Sequence, residues 1–418
     1  MTCNIGLDKS AAGLSGARVL IVHGTGHIDL AIARSLGRAG AKVIVGSPAG
    51  TGFARYSRYV SAVLPFPDHD PQAIAAATLA YLRNGRVTHV ISPDEALIAR
   101  LNEHRAEIER YAVPLFPPTQ AFHECLYKDR TLRRAARLGI PAPRTYVPST
   151  LDHLEACRHW TYPLVFKPNH RDPSQRHPAA GDYLAAYAAT FEDLCRQVAA
   201  LGPHAAPPMI QEFAPGEGIG VEVLMRAGQP LLIFQHRRLR EKPHTGGISV
   251  LCESMPLSEN LVADSVRLLK DMNWDGVAMV EFRRDPATGI SKLLEVNGRF
   301  WGSLPLALHA GADFPAALLH SHLHPLGAHQ NEPYRAGVRC RSLAHDTAAL
   351  AEILRTGAQP RFAAFRQYLA AFHPAVGAYV WAWDDPLPSL LHPWQRLRGL
   401  IDFRSSQATN SVREVKSC

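Results

Sequence analysis

The chain has 418 residues, 46% of them hydrophobic and 20% charged, which predicts a globular protein of about two to four domains. No run reaches the roughly 18 apolar residues that a membrane span needs, and residues 1–16 lack a signal-peptide core, so we expect a flexible tail and no membrane span. The formal charge of +8 fits nucleic acid or an anion pocket; because the cations are dispersed without interleaved aromatic residues, no nucleic-acid partner is expected.

The cysteines are scattered along the chain and form no CxxC pair. This distribution favours reduced thiols and predicts a cytoplasmic protein. The set consists of Cys3, Cys125, Cys157, Cys195, Cys252, Cys340 and Cys418. No glutamine-amidotransferase pattern surrounds Cys125 or Cys252, so the chain is not expected to produce its own ammonia.

The first part of the chain alternates between strand and helix patterns. Apolar strand-like runs and amphipathic helical runs follow one another at 17–26, 29–40, 41–48, 86–95 and 96–111. Such alternation predicts an α/β domain with a doubly wound parallel sheet, and we place this domain at 17–120.

The turn "HGTGHID" after the first strand invites comparison with a dinucleotide-binding loop. In G-x-G-x-x-G counted from Gly24, the third glycine would be Asp29, and no acid follows about twenty residues later, where one should bind the ribose. The turn is therefore interpreted as structural, and no nicotinamide or flavin is expected.

A second region, 121–325, mixes helices with strands. It contains a helix over 128–138, a buried strand over 162–170, three strand-like segments from 208 to 239, and a helix over 259–272, and we place a small lobe at about 145–235. The remaining 326–418 is rich in Pro and His and is expected to be a partly helical extension. At the end of the second region His320 and His324 have a zinc-compatible spacing, but no Cys, Asp or Glu completes a site there, so no zinc is expected.

A hairpin turning at 285–289 carries the most informative polar residues. A symmetric register places Glu281 opposite Glu295, and Asn297 lies on the same strand face as Glu295. Because two facing acids repel each other, a cation should lie between them, and oxygen ligands favour magnesium. The alternative is a solvated face on which the acids pair with Arg283, Arg284 or Lys292; the apolar flanks "VAMV" and "LLEV" disfavour it.

Several cations are placed to meet anionic groups. Arg299 lies two residues beyond Asn297 and is suited to a phosphoryl group, with a helix cap or an ion pair as the alternative. Lys167 ends a buried strand and needs an anionic partner. Arg238 belongs to the basic segment "FQHRRLREKPHTGGIS", whose arginine fork suits a carboxylate and whose Thr245, Gly246 and Gly247 turn lets backbone approach a ligand; the alternative is a solvated basic hairpin.

Taken with Lys128 and Lys167, the motifs "QEFAPGEG", "VEFRRD" and "EVNGRFWG" make this sequence similar to the ATP-grasp superfamily. The sequence most resembles the carbamoyl-phosphate-synthase-like and carboxylate–amine ligase branches. The resemblance extends to about residue 325, and the acid followed by acid-x-Asn-x-Arg is its most specific part. It implies an α+β fold of two lobes that clasp ATP, after the N-terminal α/β domain.

The resemblance implies contacts with ATP. Lys128 and Lys167 would contact its phosphates, with Lys167 also near the adenine. The adenine hinge between the two lobes would be formed by Gln211, Glu212 and Phe213.

The resemblance also implies roles around the sugar, the base and the metal. Leu294 would pack on the base, and Glu217 would hold the ribose, with Glu222 as the alternative. Arg299 would stabilise the transferred phosphoryl group. One or two magnesium ions, for which Mn²⁺ can substitute, would be bound by Glu281, Glu295 and Asn297. A departure is the loop after Lys167, which contains Arg171 and Arg176 but little glycine.

The activity implied is that of an ATP-dependent ligase. A small-molecule carboxylate would be activated as an acyl phosphate and attacked by an amine, giving an amide, ADP and phosphate. Two alternatives stay open: an enzyme that forms carbamoyl or carboxy phosphate from bicarbonate, and a non-catalytic ATP-binding module. A homodimer also stays open.

Overall fold

The computed structural model describes residues 14–48, 51–66, 69–150, 153–170, 185–202, 207–243, 246–324 and 333–391. Within these ranges the chain forms three sheets with helices packed against them. None of the described helices is both long and apolar enough to cross a bilayer. Thr245, Arg171 and Arg176 lie outside the described residues.

The N-terminal sheet is parallel throughout, which confirms the predicted doubly wound domain. Its strands run β3-β2-β1-β4-β5, and they are β1 (Arg18–Val22), β2 (Lys42–Pro48), β3 (Val60–Phe66), β4 (His89–Ile91) and β5 (Val113–Pro114). The helices are α1 (His27–Arg38), α2 (Pro71–Leu82), α3 (Glu95–Glu103) and α4 (Arg105–Ile108). The predicted helix over 96–111 is thus two helices that meet at His104.

The chain order in this sheet creates a crevice. The chain builds β1, β2 and β3 outwards in one direction, then returns to place β4 on the other side of β1. In open parallel sheets, ligands bind outside the carboxyl ends of strands at such a reversal. Asp94 follows β4 there and caps α3, because its carboxylate accepts a hydrogen bond from Leu97 N at 2.9 Å.

A small antiparallel sheet of four strands follows two helices, α5 (Thr119–Leu126) and α6 (Lys128–Arg137). Its order is β6-β9-β7-β8, and its strands are β6 (Thr145–Tyr146), β7 (Leu164–Lys167), β8 (Ala186–Ala188) and β9 (Met209–Glu212), with helix α7 (Phe191–Ala199) between β8 and β9. It has its own apolar core, which includes Leu164, Phe166 and Leu194.

The third sheet has seven strands in the order β14-β13-β10-β11-β12-β15-β16. They are β10 (Glu217–Arg226), β11 (Gln229–Lys242), β12 (Ile248–Ser254), β13 (Gly276–Arg284), β14 (Ser291–Asn297), β15 (Arg339–Arg341) and β16 (Val376–Ala378). The accompanying helices are α8 (Glu259–Asp271), α9 (Leu304–Ala310), α10 (Phe314–Leu323), α11 (Leu343–Thr356) and α12 (Arg361–Ala370).

The sheets differ from the predicted domain limits at two points. The small sheet ends at Glu212, whereas the small lobe was placed at about 145–235; β10 joins the large sheet because it pairs with β13 along its length. The segment after 326 is also no separate extension. Its strands β15 and β16 continue the large sheet, and Asp385 accepts a hydrogen bond from Arg34 Nε at 2.9 Å, which ties it to the N-terminal domain.

Candidate active site

The hairpin of β13 and β14 pairs the two acids as predicted, although its register is not symmetric throughout. Glu281 lies directly opposite Glu295, and Met279 lies opposite Asn297, so both acids and the amide project from one face of the sheet. The pairing shifts between Glu281 and Phe282, which leaves Leu294 as the extra residue of a β-bulge. The predicted juxtaposition of Glu281 with Glu295 is therefore confirmed.

Two cations from distant parts of the chain lie beside these acids. Arg238 of β11 donates from Nη2 to Glu281, and Lys128 at the start of α6 places Nζ 3.9 Å from Glu295 Oε2 and donates to Pro168 O at 3.2 Å. Glu281 is 8% exposed. The facing acids are thus neutralised from other elements, and the alternative of a solvated face paired with the hairpin's own cations does not describe Glu281.

The donor set on this face consists of hard oxygens. Asn297 is buried, and its Nδ2 lies 3.4 Å from Glu295 Oε1. Two carboxylates and one amide suit a divalent ion such as Mg²⁺ that takes its remaining ligands from water and substrate. In the described part of the chain, no cluster of three or more His, Cys, Asp or Glu side chains could hold a metal by itself. Glu281, Glu295 and Asn297 fit a divalent ion whose remaining ligands come from water and substrate.

Behind Glu281 a chain of buried ion pairs extends along the sheet. Glu241 accepts from Arg238 Nη1 at 3.0 Å and from Arg283 Nη2 at 2.6 Å. Burial opposes the charge on Arg238, but the carboxylates of Glu281 and Glu241 outweigh it and raise its pKa above the ordinary value. A Cβ at position 218 would lie 2.9 Å from Arg238 Cδ, so Gly218 gives this side chain its path across the sheet.

Lys167 ends β7 and is half-buried. The segment that follows it is tied to the start of α6, since Lys128 N donates to Asn169 O at 3.1 Å and Asn169 Nδ2 donates to Asp129 Oδ1 at 2.7 Å. The small sheet is thereby anchored beside Lys128. Asn169 and Asp129 were not predicted to contribute to this arrangement.

The predicted adenine hinge lies where the chain leaves the small sheet for the large one, between β9 and β10. Gln211 is buried, and its Nε2 donates to Thr145 Oγ1 at 2.9 Å within the small sheet. Glu212 and Phe213 are half-exposed at the exit, and the Phe213 ring lies 6.0 Å from that of Tyr187. Because the Gln211 side chain is used inside the sheet, a ligand at the hinge would meet backbone groups and the two residues after it.

The two candidates for the ribose contact differ in access. Glu217 is half-exposed, with Oε1 3.7 Å from Arg237 Nη1. Glu222 is completely buried, with Oε1 2.8 Å from His236 Nδ1, and His236 Nε2 lies 3.2 Å from Ser303 Oγ. A sugar cannot reach Glu222, so the alternative assigned to it is not supported. The buried group of Glu222, His236 and Ser303 was not predicted.

The basic segment "FQHRRLREKPHTGGIS" agrees only in part with the prediction. Gly247 O accepts from Arg238 Nη1 at 3.0 Å, so the Gly246–Gly247 backbone lies beside the cation that was expected to meet substrate. A Cβ at Gly246 would come within 2.9 Å of Arg283 Nη2. Arg238 itself, however, is held by Glu281 and Glu241 rather than presented to solvent.

Arg299 faces the N-terminal domain. Its Nε lies 3.7 Å from Glu95 Oε1, and its Nη1 donates to Phe300 O at 2.8 Å. His27 also contacts Gly302 O at 2.9 Å. The loop after β14 is thus placed against the carboxyl edge of the parallel sheet. Glu95 was missed, although its place just after β4 is a signal that the sequence carries.

In the turn after β1, backbone N–H groups donate to the carboxylate of Asp29. Asp29 accepts from Gly24 N at 3.0 Å and from Gly26 N at 2.8 Å, and it lies 3.0 Å from His23 Nδ1. These amide groups are therefore satisfied within the chain. The Asp29 carboxylate thus takes up donors of the turn, as expected for a structural turn.

Comparisons with known proteins agree with this architecture. A family model described as "ATP-grasp in the biosynthetic pathway with Ter operon" matches residues 204–345. A comparison with curated proteins finds no match.

Three similar solved structures share the fold at low identity. A biotin carboxylase–β,γ-ATP complex from Campylobacter jejuni is 14% identical over 77% of this chain and 74% of its own, with a TM-score of 0.62. The biotin carboxylase domain of the 2-oxoglutarate carboxylase from Hydrogenobacter thermophilus, a dimer with MgADP, ADP and bicarbonate, is 14% identical over 77% and 73%, with a TM-score of 0.60. An L-amino acid ligase from Bacillus licheniformis is 18% identical over 75% of each chain, with a TM-score of 0.58.

Proposed function

We propose that this protein, a member of the ATP-grasp superfamily, is an ATP-dependent ligase that joins a carboxylate to an amine through an acyl phosphate. The observation that carries the proposal is the cross-strand pair of Glu281 and Glu295, with Asn297 on the same face and with Lys128 and Arg238 in contact with the two acids. Such a set brings together a site for a divalent ion and cations for anionic oxygens.

ATP and one or two Mg²⁺ ions are the partners that this site would hold. Glu281, Glu295 and Asn297 would bind the metal, and Lys128 and Lys167 would contact phosphate oxygens. The metal, when bound, would neutralise charge on the phosphates. Phe213 and Glu212, at the passage from the small to the large sheet, would border the adenine, Leu294 would pack on it, and Glu217 would hold the ribose.

The chain's own contribution is positioning and charge stabilisation. Arg299 lies beyond Asn297 and would stabilise the transferred phosphoryl group, while Arg238 and the Thr245–Gly247 turn would serve the carboxylate. An acyl phosphate hydrolyses in water, so closure of the small lobe over the site would protect it until the amine attacks. The amine would enter from the N-terminal crevice, which Glu95 joins to Arg299.

Two further features go with this proposal. The scattered cysteines favour a cytoplasmic location. A homodimer is proposed by analogy with the dimeric biotin carboxylase domain from Hydrogenobacter thermophilus.

The function is tested by measuring phosphate release from ATP with pools of amino acids and carboxylic acids, followed by mass spectrometry of the products. We expect turnover only when a carboxylate and an amine are both present, with formation of an amide. Glu295→Ala should abolish turnover without changing the circular dichroism spectrum, whereas Glu259→Ala, on an exposed helix start, should keep the wild-type rate.

The alternatives give different results in the same assay. Turnover that needs bicarbonate but no amine would support a carbamoyl- or carboxy-phosphate-forming enzyme. ATP binding without phosphate release in every pool would support a non-catalytic module. Wild-type turnover by Glu295→Ala would show that the metal assignment is wrong.

A further inference from the structure

The side chain of Arg238 is buried and fixed by several hydrogen bonds within the chain. Its side chain is 8% exposed, and its Nη1 donates to both Glu241 Oε1 and Gly247 O at 3.0 Å. Its Nη2 donates to Glu281. Among the described residues, no acceptor lies within hydrogen-bond reach of its buried Nε. A buried donor without a protein partner is costly, so this Nε is available to an oxygen from outside the chain.

The Nε donor belongs to the edge of the guanidinium that faces Glu281. In a planar guanidinium, Nε–H and one Nη2–H point the same way and are spaced to bind two oxygens of one carboxylate or phosphoryl group. Glu281 engages only Nη2 of this edge. The edge is therefore a two-pronged anion fork of which the chain itself uses one prong.

Glu281 is shared between this fork and the candidate metal site. It is the cross-strand partner of Glu295 and projects from the same face. A divalent cation held by the two carboxylates would attract Glu281 away from Arg238, because both compete for the same negative charge. Arg238 would stay in place, since its Nη1 bonds to Glu241 and Gly247 do not involve Glu281.

We propose that the Nε–Nη2 edge of Arg238 binds the carboxylate of the substrate, and that this edge opens when a divalent cation takes Glu281. This inference rests on the proposed function and adds an order to it: metal first, carboxylate second. Glu241 is then a positioning residue, because it holds the guanidinium by the opposite edge and balances its charge together with that of Arg283.

Metal binding and carboxylate binding are thereby thermodynamically coupled. If one carboxylate alternates between the metal and the fork, metal and substrate must each strengthen the binding of the other by the same factor. Coupling between sites is typically about 5- to 150-fold. A fork that is independent of Glu281 predicts a factor of one.

The test uses the 418-residue chain, with acetate as the carboxylate probe and with Mg²⁺ supplied together with ADP. Calorimetry of the wild-type protein should show that acetate tightens MgADP binding by at least about fivefold. In a protein whose arginines are ¹⁵N-labelled at Nε, the signal of Arg238, assigned by its loss in Arg238→Lys, should shift saturably with acetate when MgADP is present. Equal MgADP affinity with and without acetate would overturn the proposal, and so would an Arg238 signal that acetate does not move.

Variants distinguish carboxylate binding by Arg238 from a purely structural role of this residue. Arg238→Lys keeps the charge but lacks the second prong, so the coupling factor should fall to about one. Arg339→Lys, a half-exposed arginine paired with Glu253 on the same sheet, should keep the wild-type factor. Glu241→Gln should weaken acetate binding measured with MgADP present, because Arg238 loses the carboxylate that holds its opposite edge. If Arg238→Lys retains the coupling, the fork is not the carboxylate site; if that variant does not fold, the wild-type coupling factor still decides the matter.

Failure of this inference is distinguishable from failure of the proposed function. A phosphate-release screen that finds a carboxylate substrate while MgADP and acetate bind independently would refute only the role of Glu281 as a shared carboxylate. A protein that binds no MgADP would refute both.

Discussion

Gly298 separates Asn297 from Arg299 at a position that leaves no room for added volume. A Cβ at this position would lie 2.7 Å from Trp274 Cη2 and 3.1 Å from Phe122 Cδ2. Both rings are almost completely buried, and Trp274 Nε1 donates to Val277 O at 3.3 Å, so neither can rotate away. Gly298→Ala must therefore displace the backbone that carries Asn297.

The expected cost follows from overpacking. Extra methyl groups in a packed core cost about 1–3 kcal/mol, and each kcal/mol lowers the melting temperature of a domain of this size by roughly 2–4 °C. Turnover should fall more than stability suggests, because a misplacement of about 1 Å can lower a rate by roughly 100-fold. The measurements are thermal melting and phosphate release at saturating ATP.

Gly302→Ala is the matched control. Among the described residues, no atom lies within 4 Å of a Cβ built there, so the same substitution should change neither melting nor fold. Trp274→Phe removes the ring atoms that meet the new methyl group, and the double variant Gly298→Ala/Trp274→Phe should be more stable than the sum of its single effects. Equal melting temperatures for Gly298→Ala and Gly302→Ala, with additive behaviour in the double variant, would refute the reasoning.

Two further predictions concern the N-terminal domain. Asp385→Ala should lower the stability by about 3–5 kcal/mol in denaturant unfolding, because it removes the only carboxylate paired with the buried Arg34 among the described residues. Asp384→Ala, at a half-exposed pair, should cost at most about 1 kcal/mol. Equal costs for the two variants would contradict this difference in burial. Burial lowers the pKa of His23, but Asp29 outweighs it and raises this pKa from 6.5 to about 9. The stabilisation by this ion pair is therefore full below pH 6.5 and is lost as pH rises through 9. Over this range the melting temperature of the wild type should fall more steeply than that of His23→Asn. Parallel curves of melting temperature against pH would show that the pair contributes nothing.

Local patterns in the sequence were sufficient to predict that a hairpin forms here. A symmetric register centred on Thr288 predicts Glu281 opposite Glu295, but the residues next to the turn pair one position out of that register. The bulge at Leu294 restores the opposition of the two acids. The alternation of apolar strands and helices was likewise sufficient for the parallel sheet, since each element is marked by its own periodicity. Both inferences depend on residues close together in the chain.

The orientation of the basic segment could not be predicted in the same way. Simple alternation places Arg238 and Glu241, three residues apart, on opposite faces of β11. The pairing with β12 shifts on both sides of Arg240, and this irregularity brings the two side chains together. A strand prediction assumes that successive side chains alternate between the two faces of the sheet, and a bulge interrupts this alternation.

The partners of the acids came from elements far apart in the sequence. Lys128 reaches Glu295 from the start of α6, and Glu95 reaches Arg299 from the N-terminal domain. No spacing in the sequence encodes these contacts, because they depend on how helices and sheets pack over one another.

The sequence by itself determined that a hairpin carries Glu281, Glu295 and Asn297 and that Glu295 and Asn297 share one strand face. The tertiary structure alone decided which cations neutralise them, and that Arg238 is engaged by Glu281 and Glu241. The physical reason is the range of the interactions: strand pleat and turn length act between neighbours in the chain, whereas charge compensation in a buried site is made by whichever elements the fold brings together.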